Sequence, residues 1–241
     1  MQIDVLLNPL SIIEAEVRDK IVVVIDVLRS SSTMITALAN GAKAIVPSAT
    51  LGDAGRIALN LDAKVYLLGG EKGGVKIDGY HLGNSPLEYT AETVKARTII
   101  MHTTNGTVAI IRAKGAKQLT IGSFLNAQTI ANFLLEAGQD VLLICGGNKN
   151  HVSVEDTLCA GLIIDAVKSQ NKKIVLGDGA FIAHSLYSRE KNHLAQTISH
   201  SVHAQLLKSL GFEEDVPYCT QINSHDILPI FDPNTLSIMS R

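Results

Sequence analysis

The stretch IVVVIDVLRSSSTMITALANGAKAIVP, Ile21 to Pro47, passes from an apolar run through an acid, an arginine and four hydroxyls into a run of small and apolar residues that ends at glycine. Ile21 to Ile25 are too few and too β-branched for an ordinary helix, so they read as a strand buried on both faces. Asp26 stands at its carboxyl end. Ser30, Ser31, Ser32 and Thr33 are candidate caps for the helix that follows, each able to accept an unpaired N–H at its start, and Gly41 closes it. In an open α/β sheet ligands bind at the carboxyl edge of the strands, where a helix start favours anions. An acid, a guanidinium and a ring of hydroxyls at such a turn point to a metal-assisted site for an anionic ester.

Working outward, Lys43 to Pro47, Lys64 to Leu68, Arg97 to Thr103 and Val141 to Cys145 read as further strands, separated by helical segments such as Ser48 to Asn60 and Phe124 to Gly138. Six glycines between Gly69 and Pro86 read as a long loop. The opening pattern recurs: Thr33 aligns with Thr107 and Gly41-Ala-Lys43 with Gly115-Ala-Lys117, so residues 21–47 and 95–121 read as an internal βαβ duplication. Ala180 to Leu210 is helical and His-rich with a break near Ser188. The tail from Gly211 has short strand-like runs and no linker composition. The expectation is one domain over residues 1–241, a layered α/β/α fold with a mostly parallel or mixed sheet.

Composition agrees. Of 241 residues, 46% are apolar, 18% charged and only 4% aromatic, with no Trp, so the core must be built from Ile, Leu, Val and Ala. A net charge of -2 without a basic stripe argues against nucleic acid as a partner. No run approaches the ~20 apolar residues of a membrane span, and no basic segment precedes a long apolar run at the start, so a cytoplasmic protein is expected. Cys145, Cys159 and Cys219 are widely spaced without a CxxC and read as buried thiols.

Asp26, Glu71, Asp156 and Asp178 lie at strand-to-helix turns or glycine loops, with Glu155 competing with Asp156. A hard cation such as Mg²⁺ needs only one or two converging carboxylates beside substrate oxygens and water. The plainer role of each acid is to favour a helix start. Three polar segments could cradle an anion: Ser30 to Thr33, Asn84-Ser85, and Thr103-Thr104-Asn105-Gly106-Thr107. Arg29 can fork onto a phosphate or sulfonate, and Lys72 and Lys76 would act as mobile charges. His200 and His203 share a helix face but lack a third zinc ligand, so they read as surface or interface residues, and His102 as structural or supporting. There is no GxxxxGK[ST], no Cys followed six residues on by Arg, and Leu28 replaces the second acid of a haloacid-dehalogenase-type motif.

Asp26-Val-Leu-Arg29-Ser-Ser-Ser-Thr33, Gly70-Glu71-Lys72 leading to Gly83-Asn84-Ser85-Pro86, Thr103 to Thr107, and Glu155-Asp156 together resemble the 2-phosphosulfolactate phosphatase family of coenzyme M biosynthesis. Lys72 stands where that family tends to have arginine. The resemblance implies an Mg²⁺-dependent phosphatase that converts 2-phospho-3-sulfolactate to 3-sulfolactate and phosphate. The mechanism expected from the residues has Asp26 and Glu71, with Asp156, as metal ligands, and Asp26, Arg29 and Glu71 as catalytic. Ser30, Ser31, Ser32, Lys72, Asn84, Ser85, Thr103, Thr104, Asn105, Gly106 and Thr107 would bind the substrate, a small anionic phosphoester. Attack by water and attack by Asp26 are both open. A homodimer is expected. The rival readings are a phosphatase of the same fold for another small phosphorylated hydroxy acid, and a non-catalytic organic-anion-binding protein.

Overall fold

The computed structural model describes residues 1–149 and 151–241. In chain order its elements are β1 (Gln2–Leu6), α1 (Glu14–Val17), β2 (Ile21–Ile25), α2 (Ser30–Ala39), β3 (Ala44–Ser48), α3 (Leu51–Leu59), β4 (Tyr66–Lys72), β5 (Val75–Lys76), α4 (Ala91–Val94), β6 (Thr98–His102), α5 (Gly106–Arg112), β7 (Gln118–Gly122), α6 (Ala127–Ala137), β8 (Val141–Cys145), α7 (Val154–Gln170), β9 (Val175–Leu176), α8 (Asp178–Glu190), α9 (Leu194–Ser199), α10 (Val202–Ser209), α11 (Asp215–Cys219), β10 (Pro229–Asp232) and β11 (Ser237–Ser240). The strands join one sheet in the order β5-β4-β6-β3-β11-β10-β7-β2-β8-β1-β9. The expected α/β layering on a mixed sheet is what the chain adopts.

The buried strands show why. In β2, Ile21, Val23 and Ile25 enter one core with α6, α7 and α8. Val22 and Val24 enter the other with α2 and α5. The period of two therefore sends an unbroken apolar run to both faces, which needs helices on each. β8 divides in the same way, with Val141, Leu143 and Cys145 on one side and Leu142 and Ile144 on the other.

The ladders form two parallel blocks. β9, β1, β8, β2 and β7 run together, and so do β3, β6 and β4. Between them sits the hairpin β10–β11, antiparallel to β7 on one side and to β3 on the other. The blocks therefore run in opposite senses. Each strand–helix–strand segment, β2–α2–β3 and β6–α5–β7, passes from one block to the other, while β2 pairs with β7 and β3 with β6.

One local expectation needs correction. The glycine-rich segment is not one long loop: β4 runs on to Lys72 and turns into β5, pairing Glu71 with Lys76 and Lys72 with Val75. Gly73 and Gly74, with φ of +66 and +89, supply the left-handed backbone of that turn. The His-rich region breaks after Glu190, close to the expected Ser188, and continues as α9 and α10.

Candidate active site

The turn after β2 is held by its own hydroxyls. Asp26 donates its N–H to Ser31 Oγ at 2.9 Å. Ser32 Oγ donates to the Val27 carbonyl at 2.8 Å. The residue before α2 is Arg29, whose side chain makes no capping bond, and the serines lie inside the first helical turn. Ser31 and Ser32 are buried and spent on the backbone, so the anion-binding role expected of them is not the one their hydroxyls perform. Thr103 and Thr107 behave alike: each N–H donates to the other's Oγ1, at 3.0 and 3.1 Å. Ser30 Oγ accepts from Thr103 Oγ1 at 3.4 Å and so joins the two turns.

One polar cavity lies where the ends of β2, β4 and β6 meet. It is lined by Asp26, Leu28, Arg29, Glu71, Gly73, Gly74, Asn84, Thr104, Asn105, Asn148, Lys149, His203 and Leu206. Gly106 and Gly146 make the approach possible: a Cβ on Gly106 would collide with Ser30 Oγ and Asp26 Oδ2, and one on Gly146 would lie 2.9 Å from Asp26 Cβ. Glu71 accepts the Gly74 N–H on Oε2 and the Thr104 N–H on Oε1, each at 2.7 Å. The glycine hairpin is thereby tied to the turn after β6.

Arg29 is only 3% exposed. Its Nη1 donates to Asp215 Oδ2 at 2.7 Å and its Nη2 to the Gly74 carbonyl at 2.6 Å, while the Phe212 ring lies 4.3 Å beneath the guanidinium. Two of five donors are thus committed, which fixes the plane of the fork and leaves three N–H groups. Ser85, expected to bind substrate, instead donates to Asp215 Oδ1 at 2.6 Å. Asp215 thus holds a cavity residue and a segment beside the cavity with one carboxylate.

Asp156 stands behind the cavity. Its Oδ1 accepts the Val27 N–H at 2.8 Å and its Oδ2 the Gly147 N–H at 3.0 Å, bracketing the ends of β2 and β8. Burial drives its carboxyl well above the ordinary range, helped by the neighbouring Asp26 and Glu155 charges. Burial also lifts Asp26 from 3.8 to about 6, opposed by His203 and reinforced by Glu71 and Glu155. Glu155 goes the other way: burial pushes it up, but His203, its own backbone and Ser201 together hold it below the ordinary value. All three thiols are pushed up by burial, which fits their reading as inert.

Lys72 is exposed at the end of β4 and does not line the cavity, and Asp178 is exposed at the start of α8, away from it. His102 bridges strands, with Nδ1 3.1 Å from the Ser48 carbonyl. His203, expected at the surface, lines the cavity with its side chain 16% exposed. Asn148, Lys149 and Asp215 also escaped assignment to the site or to the shell behind it, whereas Glu155, read as a rival of Asp156 for the cation, faces His203 instead. His203 had one readable signal, since it lies on α10 four residues before the core residue Leu207.

A hard divalent cation fits the donor set. Asp26 and Glu71 present carboxylates to the cavity, and the Asn84 side-chain oxygen, on a residue 4% exposed, is buried there without a hydrogen-bond partner. An orphaned buried amide oxygen beside two carboxylates is the chemistry that oxygen-seeking Mg²⁺ satisfies. Among the described residues no group of three or more His, Cys, Asp and Glu side chains is placed to hold a metal ion by itself.

The 2-phosphosulpholactate phosphatase family model matches residues 7–234, a span that contains every cavity residue. The chain belongs to the 2-phosphosulfolactate phosphatase family. Similar relatives include a probable 2-phosphosulfolactate phosphatase of Clostridium novyi, 40% identical over 231 residues, 96% of this chain and 97% of that one. Others carry the same description in Carboxydothermus hydrogenoformans, 42% identical over 95% and 92% of the two chains, and in Symbiobacterium thermophilum, 41% over 90% and 93%. In this 2-phosphosulfolactate phosphatase family member, the segments that carried the sequence resemblance meet around one cavity or, as with Asp156, directly behind it.

Proposed function

We propose that the chain hydrolyses the phosphate ester of 2-phospho-3-sulfolactate, giving 3-sulfolactate and phosphate, with Mg²⁺ held by Asp26, Glu71 and the Asn84 side-chain oxygen. The observation that carries this reading is the meeting of two carboxylates, an orphaned amide oxygen and a clamped arginine in one cavity. When bound there, Mg²⁺ supplies positive charge to the phosphoryl oxygens and balances the carboxylates. The remaining donors of Arg29 face a tetrahedral anion with their plane already set, so little orientation is left to lose on binding. Lys149 and the side-chain amides of Asn105 and Asn148 offer charge and hydrogen bonds to the sulfonate and carboxylate that hold the substrate in register. Asp156 acts through Asp26 as a positioning residue, and no helix among the described residues is long and apolar enough to cross a membrane. A cytoplasmic homodimer fits the composition. The test is phosphate release from 2-phospho-3-sulfolactate and a panel of small phosphoesters, with Mg²⁺ and with chelator. Metal-dependent release fastest with the sulfonated ester is expected, and none from any ester would leave an anion-binding protein.

A further inference from the structure

We propose that His203 is a catalytic residue of this site, passing the proton to the ester oxygen as phosphate departs, and that Glu155 is the residue that positions it. The proposal rests on the phosphatase reading above. His203 arrives from α10, an element apart from the strand ends that carry Asp26 and Glu71, and lines the same cavity. Its Nδ1 lies 3.5 Å from Glu155 Oε1, a side chain only 2% exposed at the start of α7. That Oε1 has no hydrogen-bond partner within bonding distance. A buried carboxylate oxygen left unpaired is costly, and the facing imidazole is what offsets the cost.

Geometry then assigns the two ring nitrogens. They sit on opposite edges of the imidazole, and Nδ1 is the one 3.5 Å from Glu155 Oε1, so the nitrogen left for a bound ester is Nε2. A carboxylate behind a histidine fixes its tautomer and ring orientation, as in other carboxylate–histidine pairs. The chemistry needs such a group. The alcohol leaving from a hydroxy-acid ester is a poor leaving group as an alkoxide, and neither Asp26 nor Arg29 supplies its proton: Asp26 is assigned to the cation, and the guanidinium of Arg29 hydrogen-bonds without giving up a proton. In the step, the ester P–O bond breaks with its electron pair on oxygen, which takes the proton from Nε2. The oxygen of water forms the new P–O bond, one of its protons stays on phosphate, and the other restores His203.

The decisive comparison is between 2-phosphosulfolactate and p-nitrophenyl phosphate, whose phenolate leaves without a proton. His203→Gln should lose about 10²–10³-fold in kcat with the alkyl ester and less than tenfold with the aryl ester, with KM little changed. Glu155→Gln should show the same selectivity with a loss of about tenfold, and in the chelated enzyme it should shift the ¹⁵N signals of the His203 ring while the fold is retained by circular dichroism. Equal losses on both esters, or a His203 ring signal indifferent to Glu155→Gln, would overturn the assignment while leaving the phosphatase intact. Wild-type protein inert toward every ester overturns the phosphatase reading itself, and the role of His203 with it.

Discussion

After β2 the chain turns through Asp26 and Arg29. After β6 it turns through Thr104, Asn105 and Gly106, and both turns open into the same cavity and lead into a helix on the same face of the sheet. The first turn carries full charges, and each has a counterpart behind it: Asp156 brackets the backbone beside Asp26, and Asp215 clamps Arg29. The second carries none, and its contribution to the cavity is a backbone N–H given to Glu71, a neutral amide and a glycine that leaves room. Charge taken out of water has to be held in place by further buried groups, whereas backbone donors come with the fold. Two strand-to-helix turns can therefore share a site, provided that one bears the desolvation and the other stays small.

The sharpest break in this comparison is Asp26→Asn. Catalytic turnover should fall by about a thousandfold or more, since the charge opposite the phosphoryl group is gone. Stability should move the other way. The folded carboxyl keeps its proton to about pH 6, against an ordinary value of 3.8, so the folded state is penalised once pH exceeds the unfolded value. The penalty is absent below about pH 4, grows through the interval and is complete above about pH 6, on the order of 2–3 kcal/mol. In chelator at pH 7 the variant should melt higher than wild type, and the difference should vanish towards pH 4. Thermal unfolding across that range checks it; a less stable variant at pH 7 would show that the first turn is not the strained one.

Gly106→Ala tests the contact between the turns. The new Cβ meets Ser30 Oγ and Asp26 Oδ2, so one turn must shift. A loss of about a hundredfold in kcat with about 1–3 kcal/mol of stability is expected, measured by phosphate release and denaturant unfolding. Asp215→Asn tests the counter-charge alone. It leaves a buried guanidinium without its partner and should cost about 3 kcal/mol, with a tenfold rise in KM as the fork loses its fixed plane. Unfolding and steady-state kinetics separate the two effects.

The charged turn was largely legible from the residues and its supports were not. β2 and β8 have the bounds that their apolar runs announce, and an acid at a strand's carboxyl end led to Asp26 without any tertiary information. Glu71, which lines the cavity, was singled out inside a segment whose glycines masked the alternation of a hairpin. Ser31 and Ser32 looked like ligands because a hydroxyl near a helix start does not reveal whether it turns outward or back to its own strand. Asp215 comes from a distant part of the chain, where the third acid of Glu213-Glu214-Asp215 cannot be told locally from its two neighbours, and the Glu155-Asp156 pair does not say which acid turns to His203 and which to the backbone behind Asp26. The C-terminal hairpin was visible only as short apolar runs between prolines, and nothing local says that it lies between the two parallel blocks.

The smallest expected effect is at Thr104. Its N–H, not its side chain, meets Glu71 Oε1, at 2.7 Å, and no other part of the residue is needed for that bond. Thr104→Ala keeps the donor, so kcat and KM should both stay within about threefold of wild type, the scale of a lost exposed contact. Glu71→Gln differs, because it keeps an acceptor for that N–H but removes a charge from the cavity, and it should cost far more than Thr104→Ala while unfolding at a similar temperature. The pair separates holding the second turn in place from supplying charge to the site. If Thr104→Ala raised KM tenfold with kcat intact, its hydroxyl would be touching the substrate, and the second turn would be a recognition surface in its own right.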